Sequence, residues 1–280
     1  MRFGFHISIA QGFSKVVEKA LKTRCDTIQL FSRNPRGWNH RELNPEEVAQ
    51  FRTRCVSSGI SPCFLHLPYL PNFAAADETL YSKSVNSLCE DLRRAEMLGI
   101  PFLIVHVGSR VKLSETEAIE KVVKAINKSL QRVPNQVMIL LENTAGQGTV
   151  LGSRFSQLKD ILSGIDTQKR IGICLDTAHA FQAGYDLSTR KGLDETLQEC
   201  ERLIGLKKLH LLHLNDSKVP LGSHSDRHWH IGKGYIGLKG FSNIINHPLL
   251  THLPGIMETP RKSIKDDFRN MRVMRCLMKN

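Results

Sequence analysis

The residues Asp176-Thr177-Ala178-His179 set a carboxylate and an imidazole three positions apart, directly after the short uncharged run Ile171–Leu175. Such a run reads as a strand buried on both faces. Polar groups at the end of a buried strand are costly to leave unpaired, so they pair with each other or with a metal ion. Alone, Asp-x-x-His does not choose between the two. The event recurs, however: other apolar runs end in or carry His66, His106, Glu142, His213 and Glu258. Asp226 and His228, two apart, fall on one side of an extended segment. With His179 these make nine candidate ligands, all imidazole or carboxylate. That mix suits zinc or manganese better than calcium, and the absence of cysteine points to a catalytic rather than a structural metal. Nine exceed what one ion needs, so two or three ions sharing a bridging carboxylate fit better.

Elements must carry these residues to one place. Eight apolar runs recur: Phe3–Ile7, Thr27–Phe31, Cys63–His66, Phe102–Val107, Val137–Glu142, Ile171–Asp176, Lys208–Leu214 and Gly255–Glu258. The spacers hold helix signals. Asn44-Pro45-Glu46-Glu47 offers an N-cap, a first-turn proline and a reciprocal glutamate. Ser114-x-x-Glu117 is a second capping box, and Gly99 stops the helix that carries Leu80, Leu88, Leu92 and Leu98. Strands alternating with helices, without a linker, predict an α/β chain folded as a single (β/α)8 TIM barrel over residues 1–280. All C-terminal strand ends then open into one mouth, and the metal cluster sits there. An open doubly wound sheet is the alternative. Its one support, the G-x-G-x-x-G match at 232–237, follows His228-Trp229-His230 instead of a buried strand and reads as a loop.

Other histidines read as structural. His210, three from His213 on one strand, should face the helix layer. His6 is a ligand or, preferably, a core histidine. His40, His224, His230, His247 and His252 read as loop or surface residues.

Lysine and arginine outnumber acidic residues by 39 to 27, a net charge of +12. That excess favours a polyanionic partner, nucleic acid before membrane, since no basic amphipathic helix is evident; a merely basic solvated surface is the bland alternative. Seven cysteines without a C-x-x-C pair read as buried or free thiols in a reducing compartment. MRFGFHIS lacks a signal-peptide core and no run approaches membrane-spanning length. The expectation is a soluble cytoplasmic protein, nucleoid-associated if prokaryotic and not secreted.

At this point the chain resembles the endonuclease IV family, metal-dependent apurinic/apyrimidinic endonucleases of base-excision repair. The likeness runs over nearly the full chain and rests on Leu141-Glu-Asn-Thr-Ala-Gly-Gln-Gly148, Cys174-Leu-Asp-Thr-Ala-His-Ala-Phe181, His213-Leu-Asn-Asp-Ser-Lys218 and Asp226-Arg-His228. The resemblance implies a trinuclear zinc barrel, with manganese possible at one or more sites. His66 and His106 would hold one ion, bridged by Glu142 to a second that Asp176, His213 and Glu258 complete. His179, Asp226 and His228 would hold the third. Glu142 and Glu258 are the residues it implies for catalysis. The implied reaction cleaves the phosphodiester 5′ to an abasic site in double-stranded DNA, leaving 3′-hydroxyl and 5′-deoxyribose phosphate ends, with possible 3′-end phosphodiesterase activity. Zinc would supply the activated water.

By the same resemblance Arg36, Tyr69 and Leu70 would contact DNA, filling the vacated stack while the abasic sugar turns out; on residue type alone Tyr69 and Leu70 would merely cap the barrel rim. The implied state is a monomer. The chain departs from the family in Val107-Gly108-Ser109-Arg110, where a His-Pro-Gly-Ser turn is common, which predicts a less rigid turn. Pro68 and Pro71 predict a stiffened or re-aimed loop. A sugar isomerase or epimerase of the same barrel type would also gather Glu142, Asp176, His213 and Glu258; the group His179, Asp226 and His228 and the basic charge argue against it. A non-catalytic lesion-sensing protein on this scaffold is the other alternative.

Overall fold

A computed structural model of the chain describes residues 1–39 and 41–279, so His40 lies outside the described residues. Seven parallel strands come first: β1 (Arg2–His6), β2 (Thr27–Leu30), β3 (Cys63–His66), β4 (Phe102–His106), β5 (Met138–Glu142), β6 (Ile171–Asp176) and β7 (Leu209–His213). A short antiparallel hairpin, β8 (Asp216–Ser217) with β9 (His228–Trp229), follows. The last strand, β10 (Pro254–Met257), pairs with β7 on one side and β1 on the other and closes the barrel. Around it run α1 (Phe13–Lys22), α2 (Pro45–Ser57), α3 (Glu78–Met97), α4 (Glu115–Arg132), α5 (Phe155–Ser163), α6 (Thr177–Ala183), α7 (Arg190–Leu203), α8 (Gly237–Ile245) and α9 (Ile264–Leu277). The fold is a TIM barrel. All eight expected strands are present, displaced at most by a residue at their ends, so Glu258 falls one position past β10.

The barrel interior explains why the polar residues converge. Phe64, Ile104, Leu140, Cys174, Leu211 and Ile256 form a separate buried cluster, one residue from each of six strands. Burying a large aliphatic or aromatic side chain of this kind contributes about 1.5–3 kcal/mol. Side chains two apart on a strand share a face. Two residues on from those six stand His66, His106, Glu142, Asp176, His213 and Glu258. The interior face that packs the barrel thus continues into its mouth as ligand-type side chains. The larger core, with Phe3, Phe51, Leu88, Val122, Leu158 and Phe241, lies between strands and helices.

Period-two reasoning fails at His210. A register shift in the β6–β7 ladder pairs Ile173 with Leu209 and Cys174 with Leu211, leaving His210 as the bulged residue. Its ring packs 5.8 Å from Phe102 and against Gly172, two residues below Cys174, so it faces the bottom of the barrel interior and not the helix layer. A side chain at position 172 would collide with it, which makes the glycine necessary.

The helix signals hold with one exchange of partner. The Ser114–Glu117 capping box is closed, and Asn44 Oδ1 accepts from the amides of Glu46 and Glu47. Glu47 does not reciprocate; its Oε1 accepts from Phe13 N at 2.7 Å and caps α1 instead, whose own N-cap, Gly12, has no side chain to do so. Gly99, at φ 68°, follows the end of α3 as a C′ glycine. His224 and His252 are exposed, but His247 is buried, with Nε2 2.9 Å from Asp194 between α7 and α8. The seven cysteines are free thiols, six of them buried. Among the described residues no helix is long and apolar enough to cross a membrane.

Candidate metal centre

Three groups of side chains meet at the barrel mouth: His66, His106 and Glu142; Glu142, Asp176, His213 and Glu258; and Asp176, His179 and His228. Within each group one ligand atom per residue lies within 4.8 Å of all the others. Glu142 belongs to two of them: its Oε2 is 3.1 Å from His66 Nε2 and 3.4 Å from His106 Nε2, while its Oε1 is 2.9 Å from His213 Nδ1. Asp226 reaches the third group from the hairpin loop, with Oδ1 3.3 Å from His179 Nε2 and 3.6 Å from His228 Nε2. The structure therefore brings all nine expected residues to one mouth. His179 stands in the first turn of α6. Asp176 is the N-cap of that helix and accepts from His179 N at 2.9 Å.

Three of the rings are oriented by a backbone carbonyl on the far nitrogen. His66 Nδ1 donates to Leu67 O at 2.6 Å, His179 Nδ1 to Asn143 O at 2.9 Å, and His228 Nδ1 to Glu258 O at 3.4 Å. A nitrogen that donates in this way leaves the other with a bare lone pair in the neutral ring. The Nε2 atoms of His179 and His228 face each other at 3.2 Å. Two lone pairs at that distance repel unless a proton or a cation stands between them. With Asp226 and Asp176 alongside, the donor set fits a divalent cation.

Electrostatics point the same way. Burial would raise the carboxyl of Glu142, but His106 and His213 hold it well below the usual range. Glu258 is also held low against burial, chiefly by His213 and by the hydrogen bond to His6. Asp226, half-exposed on the hairpin loop, is held down to about 2 by its hydrogen bond with His179 and the nearby rings. His179 is raised well above 6.5 against burial by Asp176, Asp226 and Glu142. His213 is raised too, against burial, by Cys174, Glu258 and Glu142. Burial pushes the Cys174 thiol up to about 12, so near neutrality it is uncharged and the negative charge beside His213 comes from Glu258 and Glu142. Protons on the two rings neutralise a pocket that is otherwise anionic, and a metal ion would displace them.

A cavity of about 410 Å³ opens beside this cluster, lined in part by Tyr69, Leu70, His106, His179 and Asp226. Tyr69 is 64% exposed, its ring 5.8 Å from that of His66 and edge-on to Phe31. Arg36 is exposed on the loop after β2 and does not line the cavity. That loop is clamped from beneath: Arg33, paired with Asp91 at 2.8 Å in full burial, also donates to Gly37 O and Trp38 O. The turn at Val107 is tied down by other means than a proline. Asn72 Oδ1 accepts from Ser109 N and Ala74 N, its Nδ2 donates to Ser109 O, and Gly108, at φ 106°, leaves no room for a side chain against it.

Sequence reasoning missed the residues that hold the ligands. Asn143 accepts from Asp176 N at 2.6 Å and donates to Asp176 O. Asn215 donates to Asp176 Oδ2 at 2.6 Å and accepts from Glu258 N at 2.7 Å. Both asparagines stand one or two positions after a ligand, Glu142 and His213, which is the signal that could have found them. Buried Asp216 gathers the amides of Gly234, Ile236 and Gly237, which shapes the glycine-rich loop. Gln29 faces inward from β2 and reaches Glu258 and His213.

Residues 17–275 match the family described as xylose isomerase-like TIM barrel. A probable endonuclease 4 of Methanosphaerula palustris is 44% identical, the match spanning 99% of this chain and 98% of that protein. Its counterpart from Methanoculleus marisnigri is 46% identical over 97% of each. The crystal structure of endonuclease IV from Thermus thermophilus superposes with a TM-score of 0.89 at 37% identity, covering 99% of this chain and 98% of that one. A D-tagatose 3-epimerase-like protein shares the fold, at TM-score 0.75 and 19% identity over 99% of this chain and 97% of that one. The endonuclease relatives share the sequence along nearly the whole chain, and the protein belongs to the endonuclease IV family.

Proposed function

We propose that the protein is a metal-dependent DNA-repair endonuclease that hydrolyses the phosphodiester 5′ to abasic sites in duplex DNA, leaving 3′-hydroxyl and 5′-deoxyribose phosphate ends. His66, His106 and Glu142 hold one ion; Glu142, Asp176, His213 and Glu258 a second; His179, Asp226 and His228 a third. Zinc is the expected metal at all three sites, with manganese possible at some. Bound there, such ions neutralise phosphate charge and make water nucleophilic near neutral pH. Glu142 links two groups through its two oxygens, and Glu258, half-buried beside His213, keeps its charge for the reaction. Tyr69 and Leu70 fill the space left by the extruded sugar, and Arg36 adds a cation to the flanking backbone. The same centre would trim blocked 3′ ends.

The observation that carries this reading is the third group itself, in which Nε2 of His179 and Nε2 of His228 face each other with Asp226 at their side. An epimerase needs one or two ions on Glu142, Asp176, His213 and Glu258 and gives no reason for that additional group. The net charge of +12 supports a polyanionic substrate. The reading takes residues 1–280 as one domain, acting as a cytoplasmic monomer. Elemental analysis of the purified protein, paired with incision of one duplex carrying a single abasic site, tests it. About three zinc ions per chain and a nick on the 5′ side are expected. An intact duplex, or turnover of a ketose instead, would refute the proposal.

A further inference from the structure

Gln29 lies on β2, fully buried, and its amide touches two of the proposed ligands at once. Its Nε2 donates to Glu258 Oε1 at 2.6 Å, and its Oε1 is 2.7 Å from His213 Nε2. A carboxylate can only accept, so the amide nitrogen must face Glu258 and the oxygen must face His213. An amide oxygen can only accept, so His213 must carry a proton on Nε2. Nδ1 is then the nitrogen left for a cation, and it is Nδ1 that faces Glu142 at 2.9 Å and Glu258 at 3.3 Å. His66, His179 and His228 take the same kind of orientation from backbone carbonyls, which no substitution removes. At His213 the partner is a side chain from a strand that contributes no ligand.

We infer that Gln29 is a positioning residue of the metal centre: one amide fixes which nitrogen of His213 ligates and holds Glu258 against it. The same Nε2 lies 2.9 Å from His6 Nδ1, and His6 Nδ1 is 3.3 Å from Glu258 Oε1, so His6 packs the outer side of this bridge. The inference rests on the reading of the cluster as a metal centre. Its consequence is specific. The ion held by Glu142, Asp176, His213 and Glu258 depends on β2, while the other two groups do not.

Gln29→Met keeps the length and bulk of the side chain and removes both hydrogen bonds, which separates orientation from packing. Zinc affinity of the wild-type chain and the variant is measured by competition with a chromogenic chelator. Loss of one affinity class by about tenfold or more, with the remaining sites unchanged, is expected. Steady-state incision of an abasic duplex should show a lower kcat with KM within about twofold, the pattern of a lost transition-state interaction. Wild-type zinc affinity in folded Gln29→Met overturns the inference and leaves the metal centre standing. A wild-type chain that takes up no zinc overturns both. A second measurement needs no variant: long-range 1H–15N correlation on the zinc-loaded, isotope-labelled protein should place the His213 ring proton on Nε2. A proton on Nδ1 would overturn the inference even if Gln29→Met failed to fold.

Discussion

His179, in the first turn of α6, and His228, at the start of β9, point their Nε2 atoms at each other across 3.2 Å. Each donates from Nδ1 to a backbone carbonyl, so the pair is stable only with positive charge between the rings. Replacing His228 with alanine removes one side of that contact. His228→Ala or Asp226→Ala is expected to lower incision by roughly a hundredfold or more and to cost one equivalent of zinc, while binding to intact duplex stays within a few-fold. Glu258→Ala should abolish incision in the same way. Single-turnover incision and elemental analysis check this, and full activity in any of the three would contradict the assigned roles.

The metal-free chain should respond to pH in a definite direction. His179 and His213 are raised well above their ordinary 6.5 by the carboxylates around them. A raised histidine contributes stability that is complete below 6.5 and lost as pH rises through its folded value. Asp226 works the other way. Held at about 2 against its ordinary 3.8, it contributes stability above 3.8 that is lost as pH falls toward 2. Urea midpoints of chelator-treated protein should therefore decline on the alkaline side, and zinc should restore them by replacing the departing protons. A midpoint that rises with pH in the metal-free chain would contradict the arrangement.

Tyr69 and Arg36 stand on different loops and should affect DNA differently. Tyr69 borders the cavity, so Tyr69→Ala should weaken abasic duplex more than intact duplex, by roughly tenfold, the scale of one aromatic–base stacking contact. Arg36 is exposed on the loop after β2. Arg36→Ala should likewise weaken abasic duplex more than intact duplex, and should reduce the slope of log affinity against log salt by about one. Fluorescence anisotropy across a salt series measures both. Equal losses on abasic and intact duplex would leave these loops only a backbone-contacting role.

Arg33 and Asp91 form an ion pair buried on both sides beneath the loop 34–38. Asp91→Ala would leave the guanidinium buried and unpaired and should cost about 3–5 kcal/mol of stability. Because Arg33 also donates to Gly37 O and Trp38 O, the loop should become open to protease before the barrel does. Urea unfolding with limited proteolysis tests the two effects together.

Much of this protein is legible from its residues alone. Alternating apolar runs and helix caps determine a (β/α)8 barrel, and a ligand-type residue two positions after each inward-facing apolar one determines the mouth, because both follow from backbone period. What tertiary structure decided lies where period breaks or where the partner is remote in sequence. The register shift beside Cys174 turned His210 inward. Glu47, a capping-box residue by spacing, found the uncapped start of α1 instead. Asn215 came to hold Asp176 and Glu258 from between their strands, and Gln29 came to hold Glu258 and His213 across the barrel interior from β2, which pairs with neither of their strands. A hydrogen bond between strands depends on register and closure, which no local pattern encodes, so the sequence names the candidate ligands and only the fold names what aims them.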